Sequence, residues 1–173
     1  MQKKIKNMEI ARSEYYLKPG YVYVSQTPTI ITTILGSCVS VCLFDSKHGF
    51  GGMNHFQLPE PLPGDANTTK FGTVSIKSLV QSMEEFGAAR KNLQATLVGG
   101  ASISENHQSQ LVADLNIKVA FFQLEKYKIP VILSKTGGHR GRKVFYYTDR
   151  GKMTCHFVDD VSDEPELLKE FEA

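Results

Sequence analysis

Cysteines and histidines are the residues of this sequence whose types suggest chemistry. The 173-residue chain holds three cysteines and five histidines. Cys38 follows Gly36-Ser37, where one β-prone run ends and another begins. Its thiol could attack a carbonyl there while neighbouring amide N–H groups stabilise the oxyanion. The alternative role for Cys38 is that of a small buried apolar residue, and periodicity alone favours that alternative.

A cysteine nucleophile needs a base, which is most often a histidine. His55 lies on the strand predicted to follow the Cys38 strand, and the intervening turn at 45–49 should pair the two strands in antiparallel fashion. This pairing would bring His55 near Cys38. A structural, half-buried histidine is the alternative role for His55, and spacing alone does not separate the two.

The other two thiols are expected to be structural. Cys42 would lie about 13 Å from Cys38 along one strand, which is too far for a disulfide. Cys155 has no activating neighbour in the sequence. A zinc site built from Cys38, Cys42, His48 and His55 is disfavoured, because the spacing matches no zinc finger. We therefore expect no metal and no cofactor.

The elements that must position these residues are mostly strands. Strands are predicted over 21–25, 30–35, 38–44, 50–58, 93–98 and 129–134, and a hairpin over 143–148 and 153–158. One helix is predicted over 76–86, ended by Gly87, and another over 109–127. The second helix should present Leu111, Val112, Leu115, Val119 and Phe122 on one face. This succession indicates helices packed on a mostly antiparallel or mixed sheet.

Composition and charge narrow the class of protein. The length fits one domain, and the 41% hydrophobic fraction is ordinary for a globular protein. No apolar run could span a bilayer, no secretory signal is recognisable, and the few cysteines suggest a reducing compartment. We therefore expect a cytoplasmic protein without membrane insertion.

Residues 159–173 hold seven acids and one lysine, so the rest of the chain carries a net positive charge. Its bases are scattered, so nucleic-acid binding is not expected.

Two glycine-rich segments lie at 99–102 and 136–142. Neither has the spacing of a phosphate-binding loop. We expect tight turns beside a site, with Arg140 or Arg142 available to an acidic or amide substrate.

Four segments in order resemble the CheD family, the chemoreceptor glutamine deamidases of bacterial chemotaxis. They are LGSCVSVCL at 35–43, GGMNHFQLP at 51–59, VGGAS at 98–102 and TGGHRGR at 136–142. The resemblance covers about residues 17–158. It divides the chain into an N-terminal extension (1–16), a CheD-like domain (17–158) and an acidic C-terminal tail (159–173).

The resemblance implies a cysteine amidohydrolase, a protein-glutamine glutaminase, with a single-domain layered α/β/α fold similar to that of deamidating bacterial toxins. It implies catalytic roles for Cys38, His55 and Thr32, with Gly36 and Ser37 at the oxyanion or substrate site. Thr32 is preferred to Thr33 because it lies an even number of residues before Cys38. The implied partners are the cytoplasmic helices of chemoreceptors and, in some members, a CheC-type phosphatase. A non-catalytic adaptor that binds either partner is the alternative function.

Overall fold

The computed structural model describes residues 9–159 of the chain. Within that range, the strands are β1 (Ser13–Tyr16), β2 (Val22–Ser25), β3 (Thr29–Leu35), β4 (Val39–Asp45), β5 (Phe50–Asn54), β6 (Leu93–Gly99), β7 (Val131–Thr136), β8 (Gly141–Tyr147) and β9 (Lys152–Val158). The helices are α1 (Gly72–Glu85), α2 (His107–Lys126) and a short 3₁₀ turn at Arg90–Asn92. Apart from Asp159, the predicted acidic tail lies outside the described residues.

A five-stranded mixed sheet forms the middle of the molecule, with the strand order β2-β5-β4-β6-β7. Its strands pair antiparallel, except for the parallel pair of β6 and β7. The central strand β4 reads VSVCLFD, and six of its seven residues are buried. A near-continuous apolar strand of this kind is stable only where both sheet faces are covered.

A second, four-stranded sheet has the order β1-β3-β8-β9. The predicted hairpin of β8 and β9 is confirmed, and β3 pairs antiparallel with β8. The strand β1 pairs in parallel with β3 and lies within the segment predicted as an N-terminal extension. The sheet therefore already begins at Ser13, inside that segment.

The two faces of β4 show how the layers are stacked. Val39, Val41 and Leu43 share one core cluster with the buried side chains of both helices. Cys42 points the other way and shares a second cluster with residues of the four-stranded sheet, including Ile31. The order of layers is therefore helices, sheet, sheet, and the predicted α/β/α order is wrong. Both helices cover the same face, so amphipathic strands cover the other.

The helix α1 follows the predicted periodicity up to Met83, whereas Phe86, predicted for the same face, follows the helix and is 44% exposed. Ile76, Leu79, Val80 and Met83 are buried against the five-stranded sheet. The helix ends at Glu85, and Gly87 follows with a φ of +99°, a left-handed conformation that favours glycine. The predicted stop at Gly87 is thus confirmed.

The helix α2 has nearly the predicted bounds but buries a different face. Its buried residues are Ala113, Asn116, Ala120, Gln123 and Leu124. Leu111 and Phe122 of the predicted face are 57% and 64% exposed. Val119 of the predicted face packs against the core, but the prediction is otherwise wrong because small and amide side chains, which carry little hydrophobic signal, are mainly the ones that face the protein. Within residues 9–159, neither helix is long and apolar enough to cross a membrane.

Candidate active site

Cys38 lies in a short loop between β3 and β4, outside both strands. Three successive carbonyl groups of this loop are held by hydrogen bonds: the Ala101 N–H donates to Gly36, the Gly100 N–H donates to Cys38, and a side chain of α2 donates to Ser37. In the described part of the chain, the N–H groups of Ser37 and Cys38 have no backbone acceptor. These two amide groups are therefore not committed to the backbone hydrogen bonds that hold the loop.

Asn116 is the α2 residue that holds this loop, and sequence analysis missed it. Its Nδ2 group donates to the Ser37 carbonyl and to the Gln57 carbonyl, each at 3.0 Å. The side chain thereby links the segment before Cys38 to the segment after His55. The available signal was an asparagine within a helix predicted from apolar residues, because a buried side-chain amide needs hydrogen-bond partners.

The glycine pair at 99–100 explains one of the two glycine-rich segments. Gly99 and Gly100 have φ angles of +110° and +69°. A β-carbon on Gly99 would collide with the Cys38 carbonyl oxygen. Glycine is therefore required where β6 passes under the cysteine loop.

His55 directly follows β5 and is only 2% exposed. The strands β4 and β5 pair antiparallel as predicted, and a further bridge joins Val39 to Phe56. On the opposite side, the His55 N–H donates to the Tyr21 carbonyl and the His55 carbonyl accepts from Gly20. The backbone on both sides of the histidine is thus fixed, which fixes the position of its ring.

The threonine that contacts His55 is Thr33, not Thr32. Thr33 Oγ1 lies 2.8 Å from His55 Nδ1 and donates a hydrogen bond to the Leu17 carbonyl at 2.8 Å. Neighbouring residues of a strand point to opposite faces, so Thr32 points away from the ring. Counting from Cys38 failed because β3 ends at Leu35, and the loop that follows breaks the alternation.

These hydrogen bonds determine which ring nitrogen of His55 carries the proton. A hydroxyl has one hydrogen, and Thr33 uses it on the Leu17 carbonyl. Thr33 Oγ1 must therefore accept a hydrogen bond from Nδ1–H of His55. The lone pair of the imidazole then lies on Nε2, which is the nitrogen left to act as a base.

Cys38 and His55 line one cavity of about 290 Å³. Gly36 and Ser37 line it as well, together with Ile103 from the segment before α2. The structure therefore brings together four of the five predicted site residues, and Thr33 takes the place of the fifth behind the imidazole.

Burial determines the charge state of the pair. It raises the pKa of the Cys38 thiol to about 11, partly opposed by a hydrogen bond from the backbone of Cys38 itself. It lowers the pKa of His55 to about 4, partly opposed by the Leu17 backbone. Near neutral pH both groups are therefore uncharged, because a low-polarity environment disfavours a thiolate–imidazolium ion pair.

The zinc alternative has no geometric support in the described residues. Within 9–159, no group of three or more His, Cys, Asp or Glu side chains could hold a metal ion. Cys42 is buried in the core between the two sheets. His48 Nδ1 lies 2.8 Å from Asp45 in the turn between β4 and β5.

Comparison with known proteins identifies relatives of this chain. The family model described as CheD chemotactic sensory transduction matches residues 57–157. A probable chemoreceptor glutamine deamidase CheD of Trichlorobacter lovleyi is 39% identical over 139 residues, which cover 80% of this chain and 86% of that protein. The CheD of Sulfurimonas denitrificans, with the same description, is 37% identical over 146 residues, covering 83% and 93%. A CheD 1 of Anaeromyxobacter dehalogenans is 40% identical over 141 residues, covering 81% and 82%.

The family match and the relatives agree in extent. The family model spans more than half of the chain, and each of these relatives aligns over about four fifths of it. The chain therefore belongs to the CheD family.

Proposed function

We propose that this protein deamidates glutamine side chains of methyl-accepting chemotaxis receptors to glutamate, in support of chemotactic adaptation. The observation that carries the proposal is the shared cavity of Cys38 and His55, with Thr33 hydrogen-bonded to the imidazole, in a chain whose relatives are named chemoreceptor glutamine deamidases. The activity would be that of a protein-glutamine glutaminase in the cytoplasm.

The first half of the reaction forms a thioester. The Cys38 sulfur attacks the glutamine carboxamide carbon while Nε2 of His55 takes the thiol proton. The N–H groups of Ser37 and Cys38 stabilise the oxyanion of the tetrahedral intermediate. When the C–N bond breaks, His55 returns the proton to the leaving nitrogen, and ammonia departs.

The second half restores the enzyme. His55 removes a proton from water, the hydroxide attacks the thioester carbon, and the C–S bond breaks with the electron pair returning to sulfur. His55 then returns its proton to that sulfur and the new carboxylic acid releases its proton to solvent, so the products are a glutamate side chain and the free Cys38 thiol. Because burial disfavours a resting ion pair, proton transfer from sulfur accompanies the attack in this scheme.

The test uses a receptor cytoplasmic fragment as substrate. Ammonia release and conversion of glutamine to glutamate, located by peptide mass spectrometry, are expected with the unaltered chain and absent with Cys38→Ser. Cys155→Ser is the matched control, because Cys155 is also a free and partly exposed thiol but does not line the cavity. Conversion by Cys38→Ser, or by none of the three proteins, contradicts the proposal.

A binding role is the second candidate function, and one observation favours it. Leu111, Leu115 and Phe122 form an exposed apolar row along α2, one to three turns apart. Such a row suits an apolar partner surface, either a receptor helix or a CheC-type phosphatase. A protein that binds either partner but converts no glutamine would fit an adaptor.

We also propose that the fold of this protein is related to that of deamidating toxins. Superposition on the structures of such toxins would test this relationship.

A further inference from the structure

A second cleft opens between the edges of the two sheets, away from the candidate active site. Its volume is about 380 Å³, within the range of small-molecule sites. It is lined from β7 by Lys135 and Thr136, from β8 by Arg142, and from β9 by Cys155 and other residues. The two cavities have no lining residue in common.

Arg142 is the unusual residue of this cleft. Its side chain is held between the two sheets, and the residue is only 7% exposed. One guanidinium nitrogen, Nη1, is fully buried and has no hydrogen-bond partner in the described part of the chain. The guanidinium lies over the Phe157 ring, 5.3 Å from its centre. A buried, unpaired charge is costly, so such a group calls for an explanation.

The other arginines show what Arg142 lacks. The chain has five arginines, and each of the other four contacts a carboxylate: Arg12 with Asp149, Arg90 with Glu84, Arg140 with Asp159, and Arg150 with Asp149. Arg142 is the most buried of the five, yet it alone has no carboxylate among the described residues.

The rest of the lining favours an anion. Of the described residues that border the cleft, none is Asp or Glu, whereas Lys135 adds a second positive charge and Ser134 and Thr136 add hydroxyl donors. Burial lowers the pKa of Arg142, and the nearby Cys155 opposes that shift. A planar guanidinium fork matches the two oxygens of a carboxylate, which would give Arg142 the charged partner that it lacks.

We propose that this cleft binds a carboxylate group, held by the Arg142 fork and the Lys135 ammonium. Two sources offer the same chemistry. One is an acidic peptide from another molecule. The other is the chain's own sequence after Asp159, which carries six acids and follows β9 closely in the chain.

Cys155 provides a reporter that does not depend on catalysis. Because this thiol borders the cleft beside Arg142, a bound carboxylate should shield it from an alkylating reagent. The measurement is the rate of Cys155 alkylation by iodoacetamide, resolved by peptide mass spectrometry at constant ionic strength. The probe is a blocked hexaglutamate peptide, and a hexaglutamine peptide is its uncharged control.

A second protein separates the two sources. It is the full chain with its six acids after Asp159 neutralised, as D160N, D163N, E164Q, E166Q, E170Q and E172Q. We expect hexaglutamate to slow Cys155 alkylation at least fivefold, with saturation, in this variant. The same response in the unaltered chain assigns the site to an external ligand. If Cys155 of the unaltered chain is alkylated slowly and hexaglutamate slows it no further, the site is assigned to the chain's own acids. Both outcomes support a carboxylate site.

Arg142→Gln should abolish the protection, whereas Arg150→Gln, a substitution of an exposed arginine on the neighbouring turn, should preserve it. If Arg142→Gln fails to fold by circular dichroism, Lys135→Gln serves instead, since Lys135 is exposed, and weakened protection is expected. The proposal would be overturned if hexaglutamine protected Cys155 as well as hexaglutamate does, or if hexaglutamate still protected Cys155 fully in the cleft variants. It would also be overturned if no protein showed either protection by hexaglutamate or slow alkylation of Cys155 on its own.

Discussion

Thr33 Oγ1 lies 2.8 Å from His55 Nδ1 and donates a hydrogen bond to the Leu17 carbonyl. This relationship orients the imidazole and keeps its proton on Nδ1, which leaves the lone pair on Nε2, the nitrogen that serves as the base in the proposed mechanism. Because both threonine contacts are buried, water cannot replace the hydroxyl, and its removal leaves a donor and an acceptor without partners.

Thr33→Val should therefore reduce kcat/KM for receptor deamidation roughly 10- to 100-fold, because the imidazole loses its buried partner at a cost of about 1–3 kcal/mol. Thr33→Ser should recover most of the loss, because it restores the hydroxyl. Thr32→Val is the matched control on the opposite strand face and should stay near the unaltered rate. A larger loss from Thr32→Val than from Thr33→Val would return the role to Thr32.

The charge state of Cys38 can be measured by alkylation. Burial raises the pKa of this thiol to about 11, so little thiolate exists at neutral pH. The rate of Cys38 modification by iodoacetamide should be low at pH 7 and rise about tenfold per pH unit up to about pH 10, since only the thiolate reacts. Peptide mass spectrometry separates Cys38 from Cys155. A plateau already reached at pH 7 would instead indicate a thiolate–imidazolium pair.

His55 should make the fold less stable in mild acid. Its pKa is about 4 in the folded protein, against an ordinary value of 6.5. As the pH falls from 6.5 to 4, the unfolded chain binds a proton at this position while the folded chain does not. The free energy of unfolding therefore decreases over that window by up to about 3 kcal/mol and is fully recovered above pH 6.5.

Urea unfolding at several pH values measures this effect. His55→Asn should flatten the pH dependence between 4 and 6.5, whatever its effect on stability at pH 7. His107→Asn, which changes an exposed histidine, should leave the dependence as it is. An unaltered slope in His55→Asn would show that other groups cause the acid sensitivity.

Asn116 is expected to act as a positioning residue. Asn116→Ala removes both hydrogen bonds that hold the Ser37 and Gln57 carbonyls, so the cysteine loop should shift. We expect kcat to fall about tenfold or more with a smaller change in KM, because an interaction that aligns the reacting groups is lost. Gln123→Ala is the control, since it removes a buried amide from the same helix without contacting the loop. Equal loss of kcat in both variants would indicate a general effect on α2.

Gly99 can be tested in a similar way. Gly99→Ala adds a methyl group against the Cys38 carbonyl oxygen, which is backbone and cannot swing aside. Deamidation should fall severely and the thermal midpoint should drop by several degrees. Gly64→Ala shares a positive φ, +93°, but has open space around it. Gly64→Ala should therefore lower stability only through the strain of a positive φ and should leave deamidation unchanged. A loss of activity as large as that of Gly99→Ala would contradict the role of the contact between Gly99 and the Cys38 carbonyl.

Local sequence patterns were sufficient for most elements and for the strand pairing that brings His55 near Cys38, whereas the choice of these two residues rested on the family resemblance. The β-branched runs, the turn at 45–49 and the hairpin of β8 and β9 are local signals, and the structure confirms them. The antiparallel pairing of β4 and β5 followed from that turn, and it put His55 within reach of the Cys38 loop. Each of these features depends on residues close together in the chain.

The contacts that refine the site depend on residues far apart, and only the tertiary structure decided them. The loop at 36–38 ended the strand alternation, so Thr33 rather than Thr32 meets His55. Asn116 reaches Ser37 across 79 positions, and hydrophobic periodicity gives an amide no weight. The layer order was also decided at this level, because an apolar strand such as β4 requires cover on both faces without stating whether helices or strands supply it.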